Sequence, residues 1–414
     1  MFNLINIKLL LISLIPIGLL ISSGVADSLL IFSVIIFIYQ SIINKNFIWL
    51  KDKCFILFCV FNLYLLINFF LSQSQELSFS RTFGFIRFPL FLMSVKYFYL
   101  KDFSLFDKHI KIWNIIIIIV LIDTFIQYFY GKNILGYPFL RMGDDVIRLS
   151  SFLGKEHKVG GYLLIFCSII LSYFFSSNNI YTRIYALIFF SFSFCAIYLT
   201  GERSNFFIFF IISFLFFLTS NLKSRLKIYL MFFLIFFSIF VINYNEKLKQ
   251  RMIYQTLAIS GANHGNAILN SHYGAHYITA FQIFKDYPFF GSGSKTFRIV
   301  CENEKYNNYN IPFIKNRCST HPHNFILEVL SELGLLGLFF LSLPFIYIFF
   351  KKINLFFKTK NNLLLGLILT SMFFYFPFVP RGSFFNNWNS VLFWTVLSLL
   401  ISFKSNTKYN SIKK

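Results

Sequence analysis

Apolar runs of about 17 to 25 residues recur along this chain, and that recurrence limits its fold more than any other feature. A helix of that length crosses the hydrocarbon of a bilayer while satisfying its own backbone hydrogen bonds. The runs fall at 4–22, 28–44, 54–71, 80–99, 112–130, 159–176, 182–199, 205–220, 226–243, 324–350, 363–379 and 388–404. They predict an all-α polytopic integral membrane protein with about twelve transmembrane helices. The run at 28–44 is short and the one at 80–99 carries Arg81, Arg87 and Lys96. The first run is not followed by a small-residue cleavage site and is read as a retained helix. A soluble domain could not hide this much apolar surface, since 57% of the 414 residues are hydrophobic and only 13% charged. The 62 phenylalanines read as lipid-facing or packing side chains, not as a binding code.

The net charge of +22 raises nucleic acid as a partner, and the placement of the basic residues argues against it. With the N-terminus in the cytoplasm, the short cytoplasmic segments hold Lys45, Lys51 and Lys53; Lys101, Lys108 and Lys111; Lys223, Arg225 and Lys227; Lys351, Lys352, Lys358 and Lys360; and the C-terminal lysines. This is the positive-inside pattern of membrane topology. The short loops on the other side are nearly free of basic residues, apart from Arg203 and Arg381. The predicted organisation is helices 1–9 over 1–243, a large extracytoplasmic loop or lid over 244–323, helices 10–12 over 324–404, and a basic cytoplasmic tail over 405–414.

The large loop between the ninth and tenth helices turns polar, rich in Gly, Asn, His and Tyr. Its segment 275–286 places apolar residues at helical spacing, which suits an amphipathic helix at the interface or one packed on the bundle. Gly291 and Gly293 after Pro288 mark a tight turn in preference to a phosphate-cradling nest. Cys301 and Cys318 share the loop, either as a disulfide, expected only in an oxidising compartment, or as two free thiols. No spacing of a zinc site occurs.

The sharpest chemical signal is THPHNFILEVLSELGLLGLFF at 320–340. His323 precedes a membrane helix, where unpaired amides and the helix dipole disfavour imidazolium and leave a neutral ring able to accept a proton. A capping or structural histidine is the plainer alternative. His321 competes with His323, but Pro322 leaves it outside the helix. Glu328 and Glu332, four residues apart, share one helix face, and acids within a span are costly unless paired or functional. Gly334 and Gly337 would admit a close neighbour. TGERSNF at 200–206 puts Arg203 in a tight hairpin on the side of the large loop, with Glu202 placed to orient it or pair with it. A guanidinium there suits phosphate oxygens, and snorkelling is the alternative. RLSSFLGKEHKVGGYL at 148–163 adds Arg148, Glu156, His157 and Lys158 beside Gly160 and Gly161. VPRGSFFNN at 379–387 adds Arg381. Arg148, Arg203, Arg381 and His323 thus meet one membrane face, which suggests an anionic substrate at the lipid surface.

At these residues the chain resembles the O-antigen ligase and O-antigen polymerase superfamily of bacterial envelope glycan assembly. HPHNFILEVLSELGLLG is similar to the family's histidine motif at the end of its large periplasmic loop, TGERSNF to its arginine-bearing short loop, and RLSSFLGKEHKVGGYL to its segment entering a middle helix. The resemblance implies an inner-membrane enzyme that transfers a glycan from undecaprenyl diphosphate to an acceptor hydroxyl at the periplasmic face, without metal or cofactor and with inversion. It implies His323 as the base for the acceptor hydroxyl and Arg203 as the holder of the diphosphate. Arg148 and Arg381 would be further phosphate or lipid contacts, and Glu202, Glu332, His321 and Glu156 complete the expected substrate-binding set. The acceptor is lipid A core in a ligase, the reading preferred here, or a second lipid-linked glycan in a polymerase. Lys285, Lys295, Arg298 and Arg317 have no assigned counterparts among the family's loop arginines. Two other classes remain in view: a metal-dependent glycosyltransferase, for which Asp144 and Asp145 would supply carboxylates, and a lipid-linked glycan flippase or transporter, which calls for charges near mid-membrane or interrupted helices.

Overall fold

The computed structural model describes residues 10–99, 104–142, 146–254, 271–307 and 313–404. The main helices are α1 (Ile15–Ile21), α2 (Ser23–Ile43), α3 (Lys53–Phe70), α4 (Gln75–Gly84), α5 (Arg87–Ser94) and α6 (Ser104–Tyr130). They continue as α7 (Val159–Phe175), α8 (Ile180–Leu199), α9 (Arg203–Thr219), α10 (Ser224–Asn243), α11 (His272–Asp286), α12 (Phe325–Thr359), α13 (Asn362–Phe373) and α14 (Asn387–Ser402). One short antiparallel pair, Leu140–Met142 with Val146–Arg148, precedes α7. The C-terminal tail beyond residue 404 lies outside the described residues.

Six helices, α2, α3, α6, α8, α10 and α12, are long and apolar enough to cross a membrane, and α7, α9 and α13 are shorter apolar helices. Their starts have local causes. Side-chain oxygens of Ser22, Asp52, Asn179, Asn324, Asn361 and Asn386 cap first turns, each accepting an otherwise unpaired amide. Helix α7 is the centre of the bundle, with nearly every side chain buried against α8, α9 and α13. Helix α10 is peripheral and leaves Phe232, Phe236 and Phe240 exposed. An apolar helix that is exposed along one side suits a lipid solvent.

The run at 80–99 is not one helix. It divides into α4, α5 and a π-helical turn at Val95–Tyr99. Its charges explain how they are tolerated: Arg81 pairs with Glu332 at 2.5 Å, Arg87 with Asp27 at 2.9 Å, and Lys96 with Asp52. Each basic group in this run therefore has an acid on a neighbouring element.

Helix α12 is also interrupted. Gly334 has φ 69° and ψ −170°, which breaks the helical backbone within Phe325–Thr359. The turn at Pro288–Lys295 of the large loop enters that break. Ser292 and Gly293 donate to the carbonyls of Ser331 and Glu332, both at 2.9 Å, while Leu335 and Leu336 donate back to Pro288 and Phe289 at 2.8 and 3.1 Å. The helix's freed backbone groups are thereby satisfied by loop backbone. Glycine is needed on both sides: a Cβ on Gly291 would lie 2.3 Å from the Glu332 carbonyl carbon, and one on Gly334 would lie 2.4 Å from Phe289 O. The Gly291–Gly293 segment is thus a packed turn whose inner amides are spent on α12. The close neighbour admitted at Gly334 is this turn, and Gly337 faces Tyr64 of α3.

Candidate active site

The large loop builds a scaffold before it presents any chemistry. Helix α11 packs along α12, and Ala280, Ile283, Phe297, Cys301 and Tyr306 form a small core of their own. Cys301 and Cys318 are disulfide-bonded beside that core. Arg317 braces the same region, donating to Cys301 O at 2.8 Å and Glu302 O at 3.1 Å. Of the segment expected to be amphipathic, Ala275, Thr279, Ala280 and Ile283 face inward, so it packs on the bundle.

The loop ends in a cluster of three histidines. The ring of His323 lies 4.2 Å from that of His321 and 5.5 Å from that of His276, centre to centre, and 5.6 Å from the ring of Tyr273. His323 has φ 57°, a left-handed conformation uncommon for a non-glycine residue and frequent at functional sites. The cap of α12 is the next residue, Asn324, whose side chain accepts from Leu327 N at 3.1 Å. Burial pulls the His323 imidazole down to about 3, and the neighbouring His321 and His276 rings add to the effect. His321 is lowered to about 4, again mainly by burial. Both rings are neutral at ordinary pH. Desolvation is the main cause, with mutual repulsion of protonated rings added to it. Nε2 of His323 lies 3.3 Å from Ser319 Oγ.

Arg381 joins the histidines to the arginine hairpin. Its amide donates to His323 O at 2.9 Å and its carbonyl lies 3.3 Å from His321 Nε2. Its guanidinium stacks on Phe374 and donates to Phe374 O at 2.7 Å and to Asn205 Oδ1. Asn205 in turn donates to Glu202. Glu202 is buried and also accepts from Gly160 N at 2.7 Å. Among the described residues it forms no ion pair with Arg203. Burial pushes its carboxyl up, opposed by Arg148, the Gly160 amide, Asn205 and Arg381. A Cβ on Gly160 would meet the Glu202 carboxyl at 2.9 Å, which accounts for glycine at the entry to α7.

Arg203 opens α9, and Arg148 and Arg251 are close enough to act on its surroundings electrostatically. Arg251 lies in the π-helical turn Gln250–Tyr254 and donates to Gly201 O at 2.8 Å. Burial together with the positive charges of Arg148 and Arg203 lowers it to about 10. Tyr273 lies within electrostatic reach of both Arg203 and Arg251, so one residue borders the histidine cluster and the arginine cluster. Buried guanidinium nitrogens of Arg148 (Nε), Arg203 (Nη1) and Arg381 (Nη2) have no hydrogen-bond partner among the described residues. Buried donors of this kind are normally paired, so an unpaired set is suited to anion oxygens.

The remaining expected residues sit elsewhere. Glu156 is exposed and pairs with Lys158. Glu332 is fully buried and saturated: it accepts from Arg81, from Lys295 N at 2.8 Å and from Phe297 N at 3.3 Å. Glu328 accepts from Ser383 and from Phe384 N at 3.0 Å. The two acids and Arg81 fasten α4, the loop turn and the 383–384 segment to α12. Asp144 and Asp145 lie outside the described residues, and among the described residues no group of three or more His, Cys, Asp or Glu side chains could hold a metal ion. Arg251, Tyr273 and His276 went unmarked in the sequence. Arg251 sits amid lysines, and only the i, i+3 spacing of Tyr273 and His276 on one helix could have signalled a shared face.

Fold and site together define a helical membrane protein, with one short strand pair, that gathers neutral histidines and partly unpaired arginines at one end of its bundle. Residues 187–342 match the family model described as O-antigen ligase, a match that supports the chain's place in the O-antigen ligase and polymerase superfamily. The matched stretch contains Arg203, Arg251, Tyr273, His321 and His323, with Arg148 and Arg381 outside it. No curated protein matches the chain.

Proposed function

We propose that this protein transfers a glycan from undecaprenyl diphosphate to an acceptor sugar hydroxyl at the periplasmic face of the inner membrane, as an O-antigen ligase with lipid A core as acceptor. The observation that carries this reading is the junction of a neutral, left-handed His323 with guanidinium groups that have unused donors, bordered by Tyr273. In this reading the chain has twelve membrane spans, its loop over 244–323 is a periplasmic lid, and the lysine-rich end is cytoplasmic.

The roles follow from the charge that develops during transfer. As the acceptor oxygen attacks the anomeric carbon, its proton passes to the His323 imidazole, which is unprotonated at the outset. The bond to the diphosphate oxygen breaks on the opposite side of that carbon, inverting it, and negative charge grows on the leaving diphosphate. Arg203 takes that charge, with Arg148 and Arg251 adding to the positive field. Arg381 holds the His321–His323 backbone and keeps one unused donor for a phosphate oxygen. Glu202 acts through Asn205 and Gly160, and Glu332 secures the loop turn.

The test is the surface glycan profile of a strain lacking the chain, complemented with wild type, His323→Ala or Arg203→Ala. The ligase reading expects loss of long glycan on lipid A core with accumulation of lipid-linked polymer, and no rescue by either variant despite normal membrane insertion. A single repeat unit on the core identifies a polymerase instead. Normal transfer by both variants would remove the proposed site.

A further inference from the structure

At the end of α12 far from the histidines lies a second concave site. Lys352 is 17 residues beyond Leu335, the first residue after the break in α12, about 26 Å along that part of the helix at a rise of 1.5 Å per residue. There a cavity of about 490 Å³ opens between the 48–54 segment, the π-helical turn at Val95–Tyr99, α12 and the end of α14. Lys51, Lys53, Lys96, Lys351 and Lys352 line it against one acid, Asp52.

That acid does not neutralise the pocket. Asp52 is committed to Lys96, to the Tyr97 hydroxyl at 2.8 Å and to the Cys54 amide at 3.0 Å, where it caps α3. Lys352 is only 6% exposed, and its amino group donates to the carbonyls of Ile401 at 2.8 Å and Phe403 at 2.7 Å. Lys51, Lys53 and Lys351 are exposed and make no ion pair among the described residues. A topological excess of lysine requires only that the charges lie on one side of the bilayer. It does not require four further lysines to gather with a buried Lys352 around one concave wall. Ile48, Ile348 and Ile401 supply an apolar side to the same cavity.

We propose that this pocket binds a phosphate ester, supplied by the headgroup of an anionic phospholipid, with the lysines on the phosphate and the isoleucines along the glycerol and upper acyl carbons. Lysines act on phosphate as flexible point charges, and the mixed wall matches an amphiphile. The proposal is independent of the chemistry at the histidine end.

The test uses the full-length protein in neutral detergent and native mass spectrometry with added phosphatidylglycerol or phosphatidylcholine. Lys51→Gln/Lys351→Gln changes two exposed pocket residues, and Lys108→Gln/Lys111→Gln removes the same charge from exposed positions outside the pocket. Wild type and the outside variant are expected to retain phosphatidylglycerol over phosphatidylcholine, with the pocket variant weaker on the order of tenfold. Heat protection by inorganic phosphate in wild type but not in the pocket variant, without a lipid preference, would uphold the phosphate site and assign it to a soluble ester. Unchanged retention in the pocket variant together with no phosphate protection, or equal loss in the outside variant, overturns it.

Discussion

The Arg381 amide donates to the carbonyl of His323 at 2.9 Å, across 58 residues of sequence, while the Arg381 guanidinium reaches Asn205 beside the arginine hairpin. One residue thereby sets the spacing between the proposed base and the proposed diphosphate site. Arg381→Lys keeps a charge but loses the planar fork that serves Phe374 and Asn205 together. Transfer is expected to fall by about one to two orders of magnitude, as misplacement of reacting groups does, with membrane insertion intact. In vitro transfer with a lipid-linked donor measures it, and near-normal rates in the lysine variant would remove the positioning role.

Acidification should separate these histidines from ordinary ones. His323 and His321 are held to about 3 and about 4 in the folded protein, against 6.5 when unperturbed. Between those values the unfolded chain binds more protons than the folded one, so the stability gained by burying neutral rings is complete above about pH 6.5 and is lost as pH falls toward 4. Melting temperatures from pH 7.5 to 4.5 should decline more in wild type than in His321→Gln/His323→Gln. Parallel curves would contradict the assignment. Transfer itself should persist at pH 6, where an exposed histidine would be largely protonated.

The break in α12 predicts a cost for the smallest possible substitution. Gly291→Ala and Gly334→Ala each place a Cβ within 2.4 Å of backbone across the loop–helix junction, at positions with positive φ. Each is expected to destabilise the protein by about 2 to 4 kcal/mol and displace the turn. Detergent thermal unfolding and proteolysis of the loop report it, and a variant as stable and protected as wild type would refute the packing described.

Removing Arg81 leaves Glu328 and Glu332 buried without their cation. Arg81→Ala is expected to cost about 3 to 5 kcal/mol, and combining Arg81→Met with Glu328→Gln and Glu332→Gln should recover much of that loss. The comparison of yields and melting temperatures decides whether the cluster is a structural fastening. If the triple variant folds well and also transfers glycan, neither acid is required for chemistry.

The Cys301–Cys318 bond closes a span of 17 residues over the loop's small core. Cys301→Ser/Cys318→Ser is expected to loosen the loop by about 3 kcal/mol in the chain-entropy treatment. Faster tryptic cleavage between 286 and 320, with the helices still protected, is the expected readout. Identical cleavage rates would show that Arg317 and the packed aromatics suffice.

Hydropathy along the chain was enough to mark most of the apolar helices, though not their count or the division of 80–99, because the length needed to cross hydrocarbon is a local property of consecutive residues. Caps such as Asn324 and Asn361 also depend only on adjacent residues, yet they went unmarked in the sequence. His323, Arg203, Arg148 and Arg381 could be singled out because each is polar at the edge of an apolar run, where an unpaired charge is conspicuous. What the sequence could not contain was the pairing across distant elements. Only the tertiary structure brings Arg81 to Glu332 over 251 residues, divides the run at 80–99, threads the Gly291 turn into the break at Gly334, and sets Arg251 and Tyr273 beside Arg203. These contacts depend on which helix faces pack together. Side chains that look alike in sequence, such as Glu328, Glu332 and Glu202, acquire their roles from the donors that packing delivers to them.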